Sequence, residues 1–127
     1  MKTISLLARV LLGLVFLVFG LNGFLAFIPA GPMPAGAVQF FTAMSQSHYM
    51  TVVFTLELVS GAMLLSGQFV PLALAVLAPV IVNIVLFHAF MAPQGLPVAA
   101  FVTILWLLAA YRFRSLFSGL LRQHAVA

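Results

Sequence analysis

Residues 49–90 read YMTVVFTLELVSGAMLLSGQFVPLALAVLAPVIVNIVLFHAF, and the one charged side chain in this whole stretch is Glu57. Ser66-Gly67-Gln68 divides it into two apolar runs, about 49–65 and 70–90. Pro71 suits the first turn of the second run, where an absent N–H leaves no hydrogen bond unmade. Each run is close to the length, about 20 residues, that a helix needs to cross the hydrocarbon of a bilayer. Pro79 removes a backbone hydrogen bond inside the second run and should bend that helix near Ala75.

The same pattern continues on both sides. Toward the N-terminus an apolar run extends from Ile4 to about Ile28, broken only by Arg9 and Asn22. Lys2 and Arg9 ahead of such a run are similar to the start of a signal peptide. The run is too long for that, however, and further spans follow, so it reads as a first transmembrane helix. Toward the C-terminus Ala92-Pro93-Gln94-Gly95 closes the third span, and Pro97 opens a fourth that ends near Arg112. Between the first two spans, residues 29–36 alternate Pro and Gly with small residues and cannot hold a helix. After them Ala37, Phe40, Phe41 and Met44 fall at i, i+3, i+4 and i+7, the mark of a short amphipathic helix at the membrane surface. The expected fold is all-α: a transmembrane four-helix bundle in one membrane domain, residues 1–127, with a short amphipathic helix between spans 1 and 2. Residues 113–127 form a cytoplasmic tail, interfacial or frayed, in which His124 has no role.

Composition agrees. Of the 127 residues 65% are hydrophobic and 5% charged, with a mean hydropathy of +1.31. A soluble domain carries about 25% charged residues to face water, and this chain cannot. The lipid bilayer is its expected surrounding. The net charge of +4 comes from Lys2, Arg9, Arg112, Arg114 and Arg122, all near the two ends. That distribution lacks the basic stripe of a nucleic-acid site and instead places both termini in the cytoplasm of a cell (inner) membrane protein. With no cysteine, dithiol–disulfide chemistry and thiolate metal sites are excluded for this chain. Two histidines and a glutamate on separate segments make no metal-ligand pattern, and no metal site is expected.

Glu57 is the only acidic residue in the protein. A carboxyl at mid-membrane costs about 2.5–3.5 kcal/mol on insertion scales, so it needs either a proton or a partner. Depth suggests which groups could be its neighbours. Glu57 lies seven residues inside Met50, and Asn83 seven residues before Phe90, about 10 Å from the outer surface in each case. Asn22 lies about 9 Å from Ile28, Thr103 is at the same level, and His88 is roughly one turn nearer water. The expectation is one polar pocket opening outward, built from Glu57, Asn83, His88 and Asn22, with Gly61, Trp106, Thr103 and His48 as lining. Asn83 and His88 are about 140° apart around a helix, so both cannot point at its centre. Asn22 and Asn83 also suit plain interhelical hydrogen bonding, and His48 suits an ordinary surface position. Gly13, Gly20, Gly23, Ser60 and Gly61 allow close helix approach within the bundle or in a homo-oligomer.

From Glu57 onward, Glu57-Leu-Val-Ser-Gly61-Ala-Met-Leu64-Leu65-x-Gly67, the turn, Pro71-Leu-Ala-Leu and a span ending in His88 resemble the DoxX family. The first span, Gly13…Phe16…Phe19-Gly20-Leu-Asn22-Gly23-Phe24, fits as well, so the resemblance covers about residues 6–112. It implies a small four-helix membrane protein, with Glu57, Gly61 and His88 at matching positions. The family takes its name from a subunit of a thiosulfate:quinone oxidoreductase, and other members occur with thiol and oxidative-stress systems. Redox relatives that work with thiols carry cysteines, which this chain lacks, and it has no recognisable quinone or haem signature. Three functions follow as expectations. The first is an accessory or quinone-associated component of a membrane redox system, with a redox-complex partner and Glu57, Asn83 and His88 on quinone oxygens or protons. The second is a small proton-coupled transporter using Glu57, and the third a non-catalytic structural or assembly protein.

Overall fold

The computed structural model describes residues 1–123, so His124 lies outside the described residues. Helix α1 spans Lys2–Leu25, α2 Ala35–Gln46, α3 Tyr49–Ser66, α4 Val70–Phe90 and α5 Leu96–Tyr111, with a 3-10 turn at Pro93–Gly95. A short α6, Arg114–Phe117, and a 3-10 turn, Ser118–Leu121, follow. Four helical segments, Lys2–Leu25, Tyr49–Ser66, Val70–Phe90 and Pro93–Tyr111, are long and apolar enough to cross a membrane. They form a closed ring in which α1 packs on α3 and α5, and α4 packs on the same two. The protein is an all-α, multi-pass membrane bundle. Its outer wall is mostly apolar, with Leu14, Val52, Val59, Val82, Ile104 and Leu107 all exposed. Only lipid accepts such a wall, and every span satisfies its backbone internally by being helical.

The inner core consists of Leu12, Phe16, Leu64, Leu74 and Leu77, each at most 2% exposed, with Val102 and Leu105 beside them. The tightest seam is between α1 and α3. A Cβ on Gly61 would lie 2.6 Å from the Leu17 backbone nitrogen, and one on Gly20 would lie 2.8 Å from that of Leu58. One on Gly23 would enter the Phe54 ring. Lipid tails are as apolar as leucine, so helices in a membrane associate through van der Waals packing and hydrogen bonds, and glycines maximise the packing.

Two local outcomes differ from the sequence reading. Helix α1 stops at Leu25 rather than Ile28, because Ala26 enters the left-handed region (φ 48°) and Asn22 captures the exit. The tail is helical through Leu121 rather than frayed, since Phe113 and Phe117, one turn apart, pack against the core. Helix α2 turns its apolar face inward: Ala37 is fully buried, and the Phe40 and Phe41 rings lie 5.7 and 5.2 Å from Phe87 of α4.

Because the atoms facing Gly61 and Gly20 are main-chain atoms, neither helix can yield locally. Gly61→Ala and Gly20→Ala are each expected to destabilise the bundle by about 1–3 kcal/mol, read as an earlier unfolding midpoint in mixed SDS micelles. Gly36→Ala, which meets nothing within 4 Å, should leave that midpoint unchanged.

Candidate functional site

Two stripes run along α3. Phe54, Leu58, Gly61 and Leu65 meet α1. The adjacent stripe, Met50, Glu57, Ser60 and Leu64, is buried and faces the bundle interior. Glu57 is 7% exposed and Ser60 2%. Gly20 touches the α3 backbone at Phe54 and Leu58, and Gly61 touches α1 at Leu17. Glu57 therefore lies at the level where the two backbones are nearly in contact. Among the described residues it has neither a hydrogen-bond partner nor a cation within ion-pair distance.

The polar groups expected around it are engaged elsewhere. Asn22 is half-buried, and its Oδ1 accepts the Ile28 N–H at 2.6 Å while its carbonyl accepts Ala26 N–H at 2.8 Å, so it closes the end of α1. Asn83 is exposed and donates from Nδ2 to the Pro79 carbonyl at 2.8 Å, one turn back on its own helix. It lies off the buried stripe of α4, which runs through Leu74, Leu77, Val80 and Ile81. His88 is half-buried, with Nδ1 3.0 Å from the Ala92 carbonyl and its ring against Gly95, where a Cβ would collide with it. It fastens the turn between α4 and α5. Thr103 donates to Ala99 O at 2.7 Å.

Asn22, Asn83, His88 and Thr103 are thus each hydrogen-bonded to main-chain groups near them in sequence rather than to Glu57. His48 is exposed in the left-handed region (φ 60°) just before α3, nine residues from Glu57, about 13 Å along the helix. Trp106 donates from Nε1 to the Leu74 carbonyl at 2.9 Å. It ties α5 to α4 beside the place where Pro79 leaves a carbonyl without its helical donor. Of the expected lining, Gly61 is a buried residue of the same helix one turn on from Glu57. Ser60 was legible only as a small packing residue, yet its i+3 spacing from Glu57 puts a second buried polar side chain on the same stripe. Among the described residues no three of His, Cys, Asp and Glu come together as metal ligands.

The class defined by this arrangement is a small membrane bundle with a solitary, largely buried carboxyl beside its tightest helix seam. The chain belongs to the DoxX family, whose model matches residues 4–89. That match takes in α1 to α4, with Glu57, Gly61 and His88, and stops before α5, short of the residue 112 that the sequence resemblance suggested. Comparison with curated proteins gives no match, and comparison with solved structures gives none either.

Trp106 makes the one long-range side-chain hydrogen bond of α5 among the described residues, whereas Asn83 serves only its own helix. Trp106→Phe is expected to lower stability by about 0.6–2 kcal/mol, the range for interhelical hydrogen bonds in membranes. Asn83→Leu should be neutral or stabilising in the same unfolding titration.

Proposed function

We propose that this DoxX-family protein is an accessory component of a membrane redox system in which Glu57 is the working group, taking up and releasing a proton inside the bundle. The observation that carries the reading is Glu57 itself. It is buried at the α1–α3 seam with no partner among the described residues, at an insertion cost of about 2.5–3.5 kcal/mol that a leucine would avoid. A chain with one acidic side chain gains nothing structural from placing it there. In this reading Lys2 and Arg112, which border one space, lie on the cytoplasmic side, and the membrane is the inner one. The bilayer partner is a redox complex.

A quinone held by this chain fits less well. Asn83 and His88, the groups that would contact its oxygens, point apart and are already hydrogen-bonded. In this reading the redox chemistry belongs to the partner. The local bonding of Asn22, Asn83, His88 and Thr103 favours a second reading, a structural or assembly protein whose polar groups only shape helix ends and turns.

Glu57→Gln keeps the shape and removes the exchangeable proton. In membranes from a strain lacking the native gene, it is expected to reduce substrate-driven quinone reduction to the level without the protein, with an unchanged unfolding midpoint. Full activity from Glu57→Gln would leave the structural reading standing. Proton-coupled flux by the purified protein in liposomes, abolished by Glu57→Gln, would replace the redox reading with transport.

A further inference from the structure

At the end of the bundle where the first and last turns meet, two cavities of about 250 and 340 Å³ share Lys2, Ser5 and Arg112 in their walls. They form one cleft between the start of α1 and the end of α5. Arg9 lines its inner part and Arg114 its rim. Four of the chain's five basic side chains thus border a single space, while the only acidic residue is in the middle of α3.

A topology signal accounts for cations at this end of the molecule, since any cation in interfacial water would serve. It does not account for their convergence from residues 2–9 and 112–114 onto one cleft. Like charges brought together without a counter-ion repel, and an anion between them removes the repulsion. Arg9 sharpens the point. It lies two turns along α1 from Lys2, about 10 Å deeper, on the same face as Lys2 and Ser5. Its Nε is buried with no hydrogen-bond partner. Its Nη1 would be only 2.7 Å from a Cβ on Gly67, so the guanidinium is laid against the α3–α4 turn through space that only glycine leaves. At the rim, Arg114 is held over the Tyr111 ring at 4.5 Å and donates to the Tyr111 carbonyl at 3.2 Å. Both arginines are positioned by protein contacts rather than free in solvent.

We infer that this cleft is a binding site for a phosphate group, held by Lys2, Arg9 and Arg112 with Arg114 at its mouth. Guanidinium forks match phosphate oxygens in pairs. Basic pockets between transmembrane helices suit the headgroups of anionic phospholipids. Leu6 and Phe113 give the cleft apolar flanks, which an acyl chain can follow. A lipid headgroup and a soluble phosphate present the same chemistry to these residues.

The full-length protein, delipidated in neutral detergent, is titrated with phosphatidylglycerol, with phosphatidylcholine and with inorganic phosphate, and bound species are counted by native mass spectrometry. Phosphatidylglycerol is expected to bind in preference to phosphatidylcholine. Arg112→Gln should weaken it about fivefold and Lys2→Gln with Arg112→Gln about 25-fold, from the usual worth of one interfacial cation. Both positions are exposed, so an unchanged unfolding midpoint should accompany the loss. Arg122→Gln, outside the cleft walls, should bind as wild type. Displacement of phosphatidylglycerol by millimolar inorganic phosphate would assign the site to a soluble phosphate, and retention would assign it to the lipid. Equal binding of the two lipids, or a loss in Arg122→Gln as large as in the pair, would overturn the site.

Discussion

Where Gly20 meets Leu58 and Gly61 meets Leu17, the α1 and α3 backbones approach until one added methyl on either glycine would strike main-chain atoms. No hydrophobic driving force draws helices together in lipid, so this dense contact is what fixes their distance and register. The rest follows from that register. It turns Met50, Glu57, Ser60 and Leu64 inward, seats α4 and α5 around the core of Leu12, Phe16, Leu64, Leu74 and Leu77, and brings the first turn of α1 beside the end of α5.

Placing a carboxyl in that register has a defined consequence. Glu57 is largely buried, because its stripe faces the interior and the glycine seam lies beside it. The other polar residues of the spans bond to main-chain groups: Asn22 closes the exit of α1 and His88 fastens the α4–α5 turn, while Asn83 and Thr103 each donate to a carbonyl one turn back on their own helix. Polar side chains in this bundle therefore divide into two kinds. Some bond to main-chain groups at helix ends or one turn back along their own helix, and Glu57 does not. The basic cleft at the other end of the molecule is physically separate from it, and the two sites are independent in their chemistry.

The number and order of the spans were legible in the sequence because apolar runs of spanning length are punctuated by Pro and Gly. Azimuth was not. A span surrounded by lipid and core is apolar on every face, so nothing in α4 distinguishes the Leu77 side from the Asn83 side. Helix α2, which does segregate Ala37, Phe40, Phe41 and Met44 from its polar residues, showed its inward face plainly. For the same reason Trp106 could be placed at mid-span but not against Leu74. Arg9 read as one more topology charge, although its i, i+3, i+7 spacing with Lys2 and Ser5 already put it on one face with them.

The α1–α3 seam can be measured directly because the chain has no native cysteine. A Cβ on Gly23 would fall inside the Phe54 ring, so Gly23→Cys combined with Phe54→Cys removes the ring and sets two thiols side by side in its place. Mild oxidation in the membrane should give a rapid, near-complete disulfide within single chains, while the exposed pair Leu14→Cys and Val59→Cys, one on each helix, remains uncross-linked. Failure of the Gly23–Phe54 pair to close, or closure only between different chains, would contradict the glycine seam and with it the enclosed position of Glu57.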